Sequence, residues 1–330
     1  MVYELDLKDK KLLHELDYNA RQSNNQIGKK VKLSKEVVKY RIDRMIEKGV
    51  IIRFHTIINY FKLGIVKYKL YLRLTNADKN KIEEIAEYFN NHNKTEWTAV
   101  LTGRWDIIAG FLVHNVNEFD DEVQIVLNKF SSFIAEKAVT TTVYLVHNYR
   151  LFLKNENKEV ERIVYHTSKD NQEKIDETDD KILKILANNG RMPVTEIANR
   201  LKLTPRIIQY RLKELEKKKI ILAYKVHIEP KALEKIFCKA ILYLGNITQN
   251  RLKALMSYTS SLEGVIWPQR VMGSWDLEID FEIDSYDKFQ EIILDLKEKF
   301  PDIIKNHEFC IVSKEYKLDL YHDCDRTYKQ

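Results

Sequence analysis

The feature that most constrains this chain is an internal repeat at a constant offset of 170 residues. Residues 5–51 return as residues 175–221 without an insertion, and the register persists downstream, where Gly103 returns as Gly273. A period this long indicates a duplicated multi-element unit, because solenoid repeats have periods of about 20–50 residues. With 330 residues, each copy is long enough to bury its own core.

Positive charge is concentrated at the start of each copy. Residues 1–60 carry 13 Lys or Arg against 8 Asp or Glu, and residues 171–230 carry 13 against 9, so their net charges are +5 and +4. The whole chain has a net charge of only +6, so the remainder is acidic. This distribution favours contact between the repeated N-terminal segments and phosphate, although a solvated lysine-rich surface would give the same counts.

The sequence offers little sign of a membrane or metal partner. No apolar run approaches the roughly 20 residues that span a bilayer, and the first residues lack the basic-then-apolar plan of a signal peptide. Cys238, Cys310 and Cys324 have neither a close-pair nor a metal-ligand spacing. We therefore expect a reduced cytoplasmic protein, located at the nucleoid, without a metal, a cofactor or a membrane partner.

Each copy begins with a pattern typical of three short helices joined by tight turns. In the first copy, Ser34 is expected to cap a third helix from Lys35 to about Lys48; in the second, Thr204 is the cap and Pro205 takes the first helical position. Two short helices, a tight turn and a longer basic helix predict a helix-turn-helix, and the alternating segment that follows predicts a wing. A plain three-helix packing domain is the alternative.

The third helix of each copy leaves a polar arc outside its buried stripe. Residues near the start of such a helix can reach base edges in a major groove, and neighbouring cations can meet phosphate. The predicted contacts to double-stranded DNA are Ser34, Lys35, Glu36, Lys39, Tyr40, Arg41 and Arg53 in the first copy, and Thr204, Arg206, Gln209, Tyr210, Arg211, Lys213 and Lys225 in the second.

The two arcs differ where base contacts are expected. Glu36 in the first copy corresponds to Arg206 in the second, and Lys39 corresponds to Gln209. Glutamate favours cytosine, arginine guanine and glutamine adenine. The sequence therefore predicts an operator with two unlike half-sites.

After each helix-turn-helix, the pattern changes to the order βαββαβ, that of the ferredoxin-like split unit. Residues 66–74, for example, alternate with period two, as a half-buried strand does. The predicted fold class is α+β, with two copies of a winged helix-turn-helix followed by a ferredoxin-like sensor domain. The predicted bounds are 1–60 and 174–230 for the winged helix-turn-helix domains, 61–150 and 231–320 for the ferredoxin-like domains, and 151–173 for a linker.

Both halves resemble the Lrp/AsnC family of feast/famine transcriptional regulators. The family's D-x-x-D start is present at residues 6–9 and 176–179, and its helix-turn-helix core of Leu, Ser or Thr and V-x-x-R-I is present at residues 33–42 and, with conservative changes, 203–212. The Gly-x-aromatic-Asp hairpin is present at residues 103–106 and 273–276. The departure from the family pattern is the fusion of two copies, which puts the usual homodimer symmetry in question.

The resemblance implies a small effector, often an amino acid, bound near the interface of the sensor domains. The effector residues it implies are Gly103, Arg104, Asp106, Gly273, Ser274 and Asp276. In this reading Asp106 and Asp276 face either an ammonium group or a backbone N–H. The alternative is a tight β-hairpin in which Gly adopts a positive φ and Asp closes the turn.

The resemblance also implies that two sensor sheets pack together, and the charges suggest which ones. The free face of strand 277–283 presents carboxylates, whereas the first copy offers cations on strand 66–74. The acidic set is Glu278, Asp280, Glu282 and Asp284, and the basic set is Lys67, Lys69 and Arg73. Because juxtaposed like charges are unfavourable, we predict a pseudo-dimer of the first sensor domain with the second, within one chain or between two, and with a higher oligomer left open.

Two other functions fit the same architecture. Some related proteins resemble tetrapyrrole (sirohaem-type) decarboxylases, and fused two-copy forms of them exist. That chemistry requires His, Arg or Tyr side chains gathered around a large pocket, whereas His92, His114, His147 and His307 share no spacing. A nucleoid-associated DNA-packing protein is the other alternative. We expect a regulator and not an enzyme.

Overall fold

The computed structural model describes residues 4–153, 163–165 and 171–321, the short middle segment by its backbone alone. Cys324 and most of the predicted linker lie outside these residues. Within them, Cys238 and Cys310 are buried free thiols, and no helix combines the length and apolar character needed to cross a bilayer.

The two halves contain the same elements in the same order. The first half consists of α1 (Leu7–Tyr18), α2 (Asn24–Val31), α3 (Lys35–Glu47), β1 (Ile51–Ile58), β2 (Val66–Leu74), α4 (Lys79–Asn90), β3 (Thr95–Gly103), β4 (Ile107–Val113), α5 (Val116–Phe130) and β5 (Ile134–His147). A short strand, β6 (Ile163–Tyr165), follows. The second half consists of α6 (Glu177–Ala187), α7 (Val194–Leu201), α8 (Pro205–Lys217), β7 (Ile221–Ile228), β8 (Ile236–Leu244), α9 (Gln249–Ser261), β9 (Val265–Gly273), β10 (Leu277–Ile283), α10 (Tyr286–Lys299) and β11 (Ile304–Leu318). The predicted order, a helix-turn-helix with a following strand and then βαββαβ, is confirmed in both halves.

Local chemistry explains where α3 and α8 begin. The Ser34 hydroxyl accepts the Val37 N–H, and the Thr204 hydroxyl accepts the Ile207 N–H, so each side chain satisfies a backbone donor that the helix leaves unpaired. The tight turn before each cap is left-handed at Lys32 (φ 57°) and Lys202 (φ 55°). The helices therefore start at the predicted residues and present the predicted faces.

The strands of the two ferredoxin-like units form one closed antiparallel barrel. Each unit has the order fourth-first-third-second, as β5-β2-β4-β3 and β11-β8-β10-β9. Edge strand β3 pairs with β11 of the other half, and edge strand β9 pairs with β5, so eight strands close a ring that leaves no free edge among them. Packing of the two sheets against each other is thus present within one chain, and it takes the form of edge-to-edge closure around a shared interior.

The two helix-turn-helix modules are held together by their wings, which are β1 and β7. The wings pair antiparallel, with Phe54 opposite Val226 and Thr56 opposite Tyr224. Since each pair is related to the other by the offset of 170 residues, a pseudo-twofold axis passes between the wings. Crossed hydrogen bonds follow the same symmetry: Arg21 donates to the Gly190 carbonyl at 2.7 Å, and Arg191 donates to the Ala20 carbonyl at 2.5 Å.

Candidate nucleic-acid interface and the junction behind it

The outer arcs of α3 and α8 are free of tertiary packing. Tyr40 and Tyr210, at equivalent positions, are 63 % and 66 % exposed. The other predicted contacts that are likewise exposed are Ser34, Lys35, Glu36 and Lys39 on the first module and Thr204, Arg206, Gln209 and Lys213 on the second. Lys39 forms an ion pair with Asp43, one turn further along α3.

The predicted contacts Arg41 and Arg211 have partners inside their own modules. Arg41 binds the carboxylates of Asp6 at 2.7 Å and Asp9 at 2.8 Å. Arg211 binds those of Asp176 and Asp179 at the same two distances. Asp6 also caps α1 by accepting the Asp9 N–H. The D-x-x-D motif therefore fixes the third helix against the first, which is a structural role that sequence spacing alone did not reveal.

Two predicted phosphate contacts are wrong in this structure. Arg53 is half-buried and donates to the Asn188 side chain at 3.2 Å and to the Leu318 carbonyl. Lys225 is buried, donates to the Asn148 carbonyl at 3.0 Å and lies 3.3 Å from the Asp17 carboxylate. Both residues belong to the wings, and the mutual pairing of the wings turns these side chains toward the protein.

The hairpin residues that the resemblance assigned to an effector lie at the seams of the barrel. Gly103 (φ 133°) needs its lack of a side chain, because a Cβ there would lie 2.7 Å from the Phe309 carbonyl oxygen of the other half. Asp106 accepts the Leu74 N–H at 2.7 Å, and Asp276 accepts the Leu244 N–H at 2.8 Å. Each carboxylate thus faces a backbone N–H, one of the two partners considered for it.

The other hairpin residues are also engaged within the chain. Gly273 (φ 132°) lies against the backbone of β5 in the same way that Gly103 lies against β11. Arg104 binds both oxygens of Glu136, at 2.8 and 2.6 Å. The Ser274 hydroxyl lies 3.2 Å from both the N–H and the carbonyl of Val139. These contacts fit the tight-hairpin alternative, and an effector role for the six residues stays a prediction.

Inside the barrel lies a buried ionic cluster that consists of Lys67, Lys69, Glu96, Lys239, Glu278 and Asp280. Glu278, which is fully buried, accepts from Lys69 at 2.5 Å and from Lys239 at 3.1 Å. Lys239 also lies 2.7 Å from Asp280, and Lys67 lies 2.8 Å from Glu96. The cluster contains three cations and three anions, so it is balanced in charge.

This cluster tests the predicted pairing of a basic sheet with an acidic one. The pairing is confirmed for Lys69, which reaches Glu278 of the other half. It is wrong for Lys67, which binds Glu96 of its own half, and for Arg73, whose nearest carboxylate is Glu136 at 3.8 Å. The predicted acidic set also loses Asp284, which binds Lys235 of its own half.

The offset of 170 residues shows how the cluster became asymmetric. Lys69 and Lys239 are equivalent, but Asp280 corresponds to Gly110. A Cβ at Gly110 would lie 2.9 Å from a Glu96 carboxylate oxygen and 3.3 Å from Lys67 Cε, so the glycine makes room for the first half's own ion pair. Burial lowers the pKa of Lys69 to about 8 although Glu278 opposes the shift. Two first halves would therefore bring two such lysines together without Glu278, so the charges favour pairing of unlike halves.

A second buried cluster links the first helix-turn-helix to the second half. Arg150 binds Asp17 of α1 at 2.9 Å and Glu282 of β10 at 2.7 Å. Together these carboxylates outweigh burial and raise the pKa of Arg150. The acidic pattern of β10 identified Glu282, but no sequence signal marked Arg150 or Asp17, since their meeting depends on the packing of distant segments.

Two winged helix-turn-helix modules joined by their wings over a closed ferredoxin-like barrel define a two-copy protein of the winged helix-turn-helix class. A family model for winged helix-turn-helix DNA-binding domains matches residues 5–52, and one for AsnC-type helix-turn-helix domains matches residues 175–216. The chain belongs to the Lrp/AsnC family of helix-turn-helix transcriptional regulators.

Similar proteins include single-copy regulators and one two-copy structure. The HTH-type transcriptional regulator PF0250 of Pyrococcus furiosus is 32 % identical over 143 residues, which are 43 % of this chain and 91 % of that protein. The HTH-type transcriptional regulator Ptr1 of Methanocaldococcus jannaschii is 35 % identical over 102 residues, 29 % of this chain and 69 % of that protein. The crystal structure of the siroheme decarboxylase NirDL matches 97 % of this chain and 95 % of its own, with a TM-score of 0.64 and 12 % identity, so it shares the fold.

Proposed function

We propose that the chain regulates transcription at the nucleoid by placing α3 and α8, the recognition helices, on two half-sites of one DNA duplex. The single observation that carries this proposal is the pseudo-twofold relation of the two exposed arcs through the paired wings. Double-stranded DNA has twofold axes of its own, and dimeric helix-turn-helix proteins use this match. Here one chain supplies both readers.

The base contacts are assigned to the first turns of the two recognition helices. On α3, Glu36 and Lys39 stand where Arg206 and Gln209 stand on α8. All four are exposed, and glutamate, arginine and glutamine favour different bases. We therefore propose that the operator has unlike half-sites, read in a fixed order by the covalently joined modules.

Phosphate contacts are assigned to the residues around those turns. Lys35 and Lys213 are exposed cations that flank the proposed base contacts. The hydroxyls of Ser34 and Thr204 accept a backbone N–H each, and their own hydrogens are free to be donated to a phosphate oxygen. Lys225 and Arg53 have no part in this surface, since their partners lie within the protein.

Selection of binding sites from random duplex DNA tests the proposal. The expected result is enrichment of a bipartite site with different halves at about 0.2 M salt, where sequence-independent binding has weakened. A perfect palindrome would overturn the unlike half-sites, and a lack of enrichment would favour a DNA-packing protein. A double variant, Glu36→Arg with Lys39→Gln, gives the first reader the residues of the second, and its selected site is expected to move toward a palindrome.

A tetrapyrrole decarboxylase is a second candidate because of the whole-chain likeness to NirDL. We favour the regulator, since similarity in sequence leads to transcriptional regulators while 12 % identity to NirDL carries the fold alone. Incubation of the purified chain with sirohaem separates the two. The regulator predicts no loss of carboxyl groups by mass spectrometry, and turnover would establish the enzyme.

A further inference from the structure

A cavity of about 50 Å³ lies between the paired wings and the barrel. Both halves and the first wing line it: His55 comes from β1, Lys67 and Lys69 from β2, Glu96 from β3, Gln269 from β9 and Asp280 from β10. The site thus lies where the barrel could communicate with the recognition helices, and it is separate from the glycine hairpins at the barrel seams.

The charges that face the cavity cancel. Lys67 and Lys69 provide two cations, and Glu96 and Asp280 provide two anions. Burial holds the pKa of His55 and of His147 well below the ordinary value, so both imidazoles are neutral at neutral pH. A net charge placed in this cavity would therefore lack a compensating partner, whereas a molecule with separated but balanced charges would meet donors and acceptors.

One buried polar atom on this wall has no hydrogen-bond partner within the described residues. His55 is 5 % exposed, and its Nδ1 atom is unpaired. Buried polar atoms are otherwise almost always hydrogen-bonded, to protein or to a bound molecule. The opposite wall is aromatic, with Trp97 and Trp267 beside the cavity.

Size limits what the cavity can hold. A water molecule needs about 10–15 Å³ of such volume, so 50 Å³ accommodates a chain of about four or five non-hydrogen atoms. Glycine has this size and carries one carboxylate and one ammonium group. A methionine side chain would exceed it.

A route to solvent is present on the second half. A surface cleft of about 720 Å³ shares Arg150, His227 and Trp267 with a narrow pocket of about 10 Å³. That pocket in turn shares His55, His147 and Trp267 with the cavity. The three spaces are therefore adjacent, and the constriction between them is one water molecule wide.

We propose that this cavity is a binding site for a small dipolar molecule without net charge, of the size of glycine, which contacts His55 and the charged side chains of the barrel. Because His55 belongs to a wing, occupancy would bias the position of the wings and with them that of the recognition helices. This last step rests on the proposed DNA-binding function, but occupancy of the cavity does not.

Calorimetric titration of the full chain without DNA tests the site. Glycine is expected to bind saturably with one molecule per chain, and acetate, methylammonium and L-methionine are each expected to bind at least 10-fold more weakly. No saturable glycine binding would overturn the proposal. Acetate binding as tightly as glycine would refute the charge argument, and methionine binding as tightly would refute the size argument.

A pair of matched variants locates the bound molecule. His55→Phe keeps a ring at the position but removes the unpaired nitrogen, and it is expected to weaken glycine binding at least 10-fold. His114→Phe is the control, because His114 also has an unpaired buried ring nitrogen but does not line the cavity; its binding should match the parent chain. Equal binding by both variants would contradict the assignment. If either variant fails to fold, a crystal structure of the parent chain grown with glycine decides, with a glycine molecule expected in the cavity and ordered water alone contradicting it.

The effect on DNA is measured separately. Glycine is expected to change operator affinity in the parent chain and in His114→Phe, but not in His55→Phe. Calorimetric binding without any effect on DNA would uphold the site and refute its coupling to the wings. An absence of DNA binding under all conditions would refute the proposed function and leave the calorimetric result standing.

Discussion

Substitution of Glu278 by Gln should be among the most damaging single changes in the barrel. The carboxylate is fully buried and accepts from Lys69 at 2.5 Å, from Lys239 at 3.1 Å, from Trp275 Nε1 at 3.0 Å and from Thr140 at 3.1 Å. Lys239 keeps Asp280 as a partner at 2.7 Å, but Lys69 would keep only the Gln269 side chain at 2.6 Å. One buried ammonium group would therefore lose its counter-charge.

The expected loss is about 3–5 kcal/mol of unfolding free energy, the usual effect of removing one partner of a buried ion pair. Since a domain is typically stable by about 5–15 kcal/mol, this is a large fraction of the total. Urea unfolding followed by circular dichroism measures the change as a lower midpoint at an unchanged slope. Glu196→Gln is the control, because it breaks an exposed ion pair with Arg200 on α7 and should cost less than about 1 kcal/mol.

A second substitution distinguishes the loss of charge balance from a simple loss of packing. Lys69→Met in the Glu278→Gln background removes the stranded ammonium group, so the double variant should be more stable than Glu278→Gln alone. An additive loss in the double variant, or a Glu278→Gln effect no larger than that of the Glu196 control, would refute the reasoning.

Three further outcomes follow from the geometry. Burial raises the pKa of Glu315 to about 7 from an ordinary 4.5, so its contribution to stability is complete below pH 4.5 and is lost as the pH rises through 7; the difference in unfolding free energy between the parent chain and Glu315→Gln should therefore shift in favour of the variant by up to about 3 kcal/mol between pH 4.5 and 8, and a pH-independent difference would contradict this. Burial lowers the pKa of His227 to about 3, so its contribution has the opposite sign and is lost as the pH falls below 6.5, and the comparison of variants isolates Glu315. Gly273→Ala should destabilise the chain in a thermal melt through its positive φ and the close β5 backbone, whereas Gly49→Ala, with a positive φ but open space, should cost less; equal losses would show that backbone contact at the seam is unimportant. Arg206→Ala should reduce discrimination at one position of one half-site by about 1–3 kcal/mol in competition binding, whereas Lys213→Ala should weaken all sequences equally and lower the salt dependence; the reverse assignment of these two effects would contradict the proposed roles.

Local signals account for the parts of the fold that the sequence predicted. Ser34 and Thr204 cap their helices as expected, because capping depends on residues three positions apart. The order βαββαβ follows from the change between helical and alternating periodicity, which is also local. The alternation in strands β2 and β10 was sufficient to identify Lys69 and Glu278 as partners.

Non-local pairing accounts for what the sequence did not predict. The wings carry Arg53 and Lys225 in an alternating pattern that fits a DNA-facing wing, but the antiparallel partner decides which face is covered. The closure of the barrel through Gly103 against β11 was likewise hidden, since a tight hairpin and a seam both require glycine. The ionic contact of Arg150 joins residues more than 130 positions apart, a distance at which no spacing rule applies.

Titration of the full chain on defined duplexes tests the central claim most directly. The duplexes are the selected operator and the two palindromes built from either of its halves. The account predicts one chain per operator duplex and at least 10-fold weaker binding to both palindromes, because α3 and α8 present different side chains from one pseudo-twofold frame. Equal affinity for a palindrome, or two chains required for each operator, would contradict it.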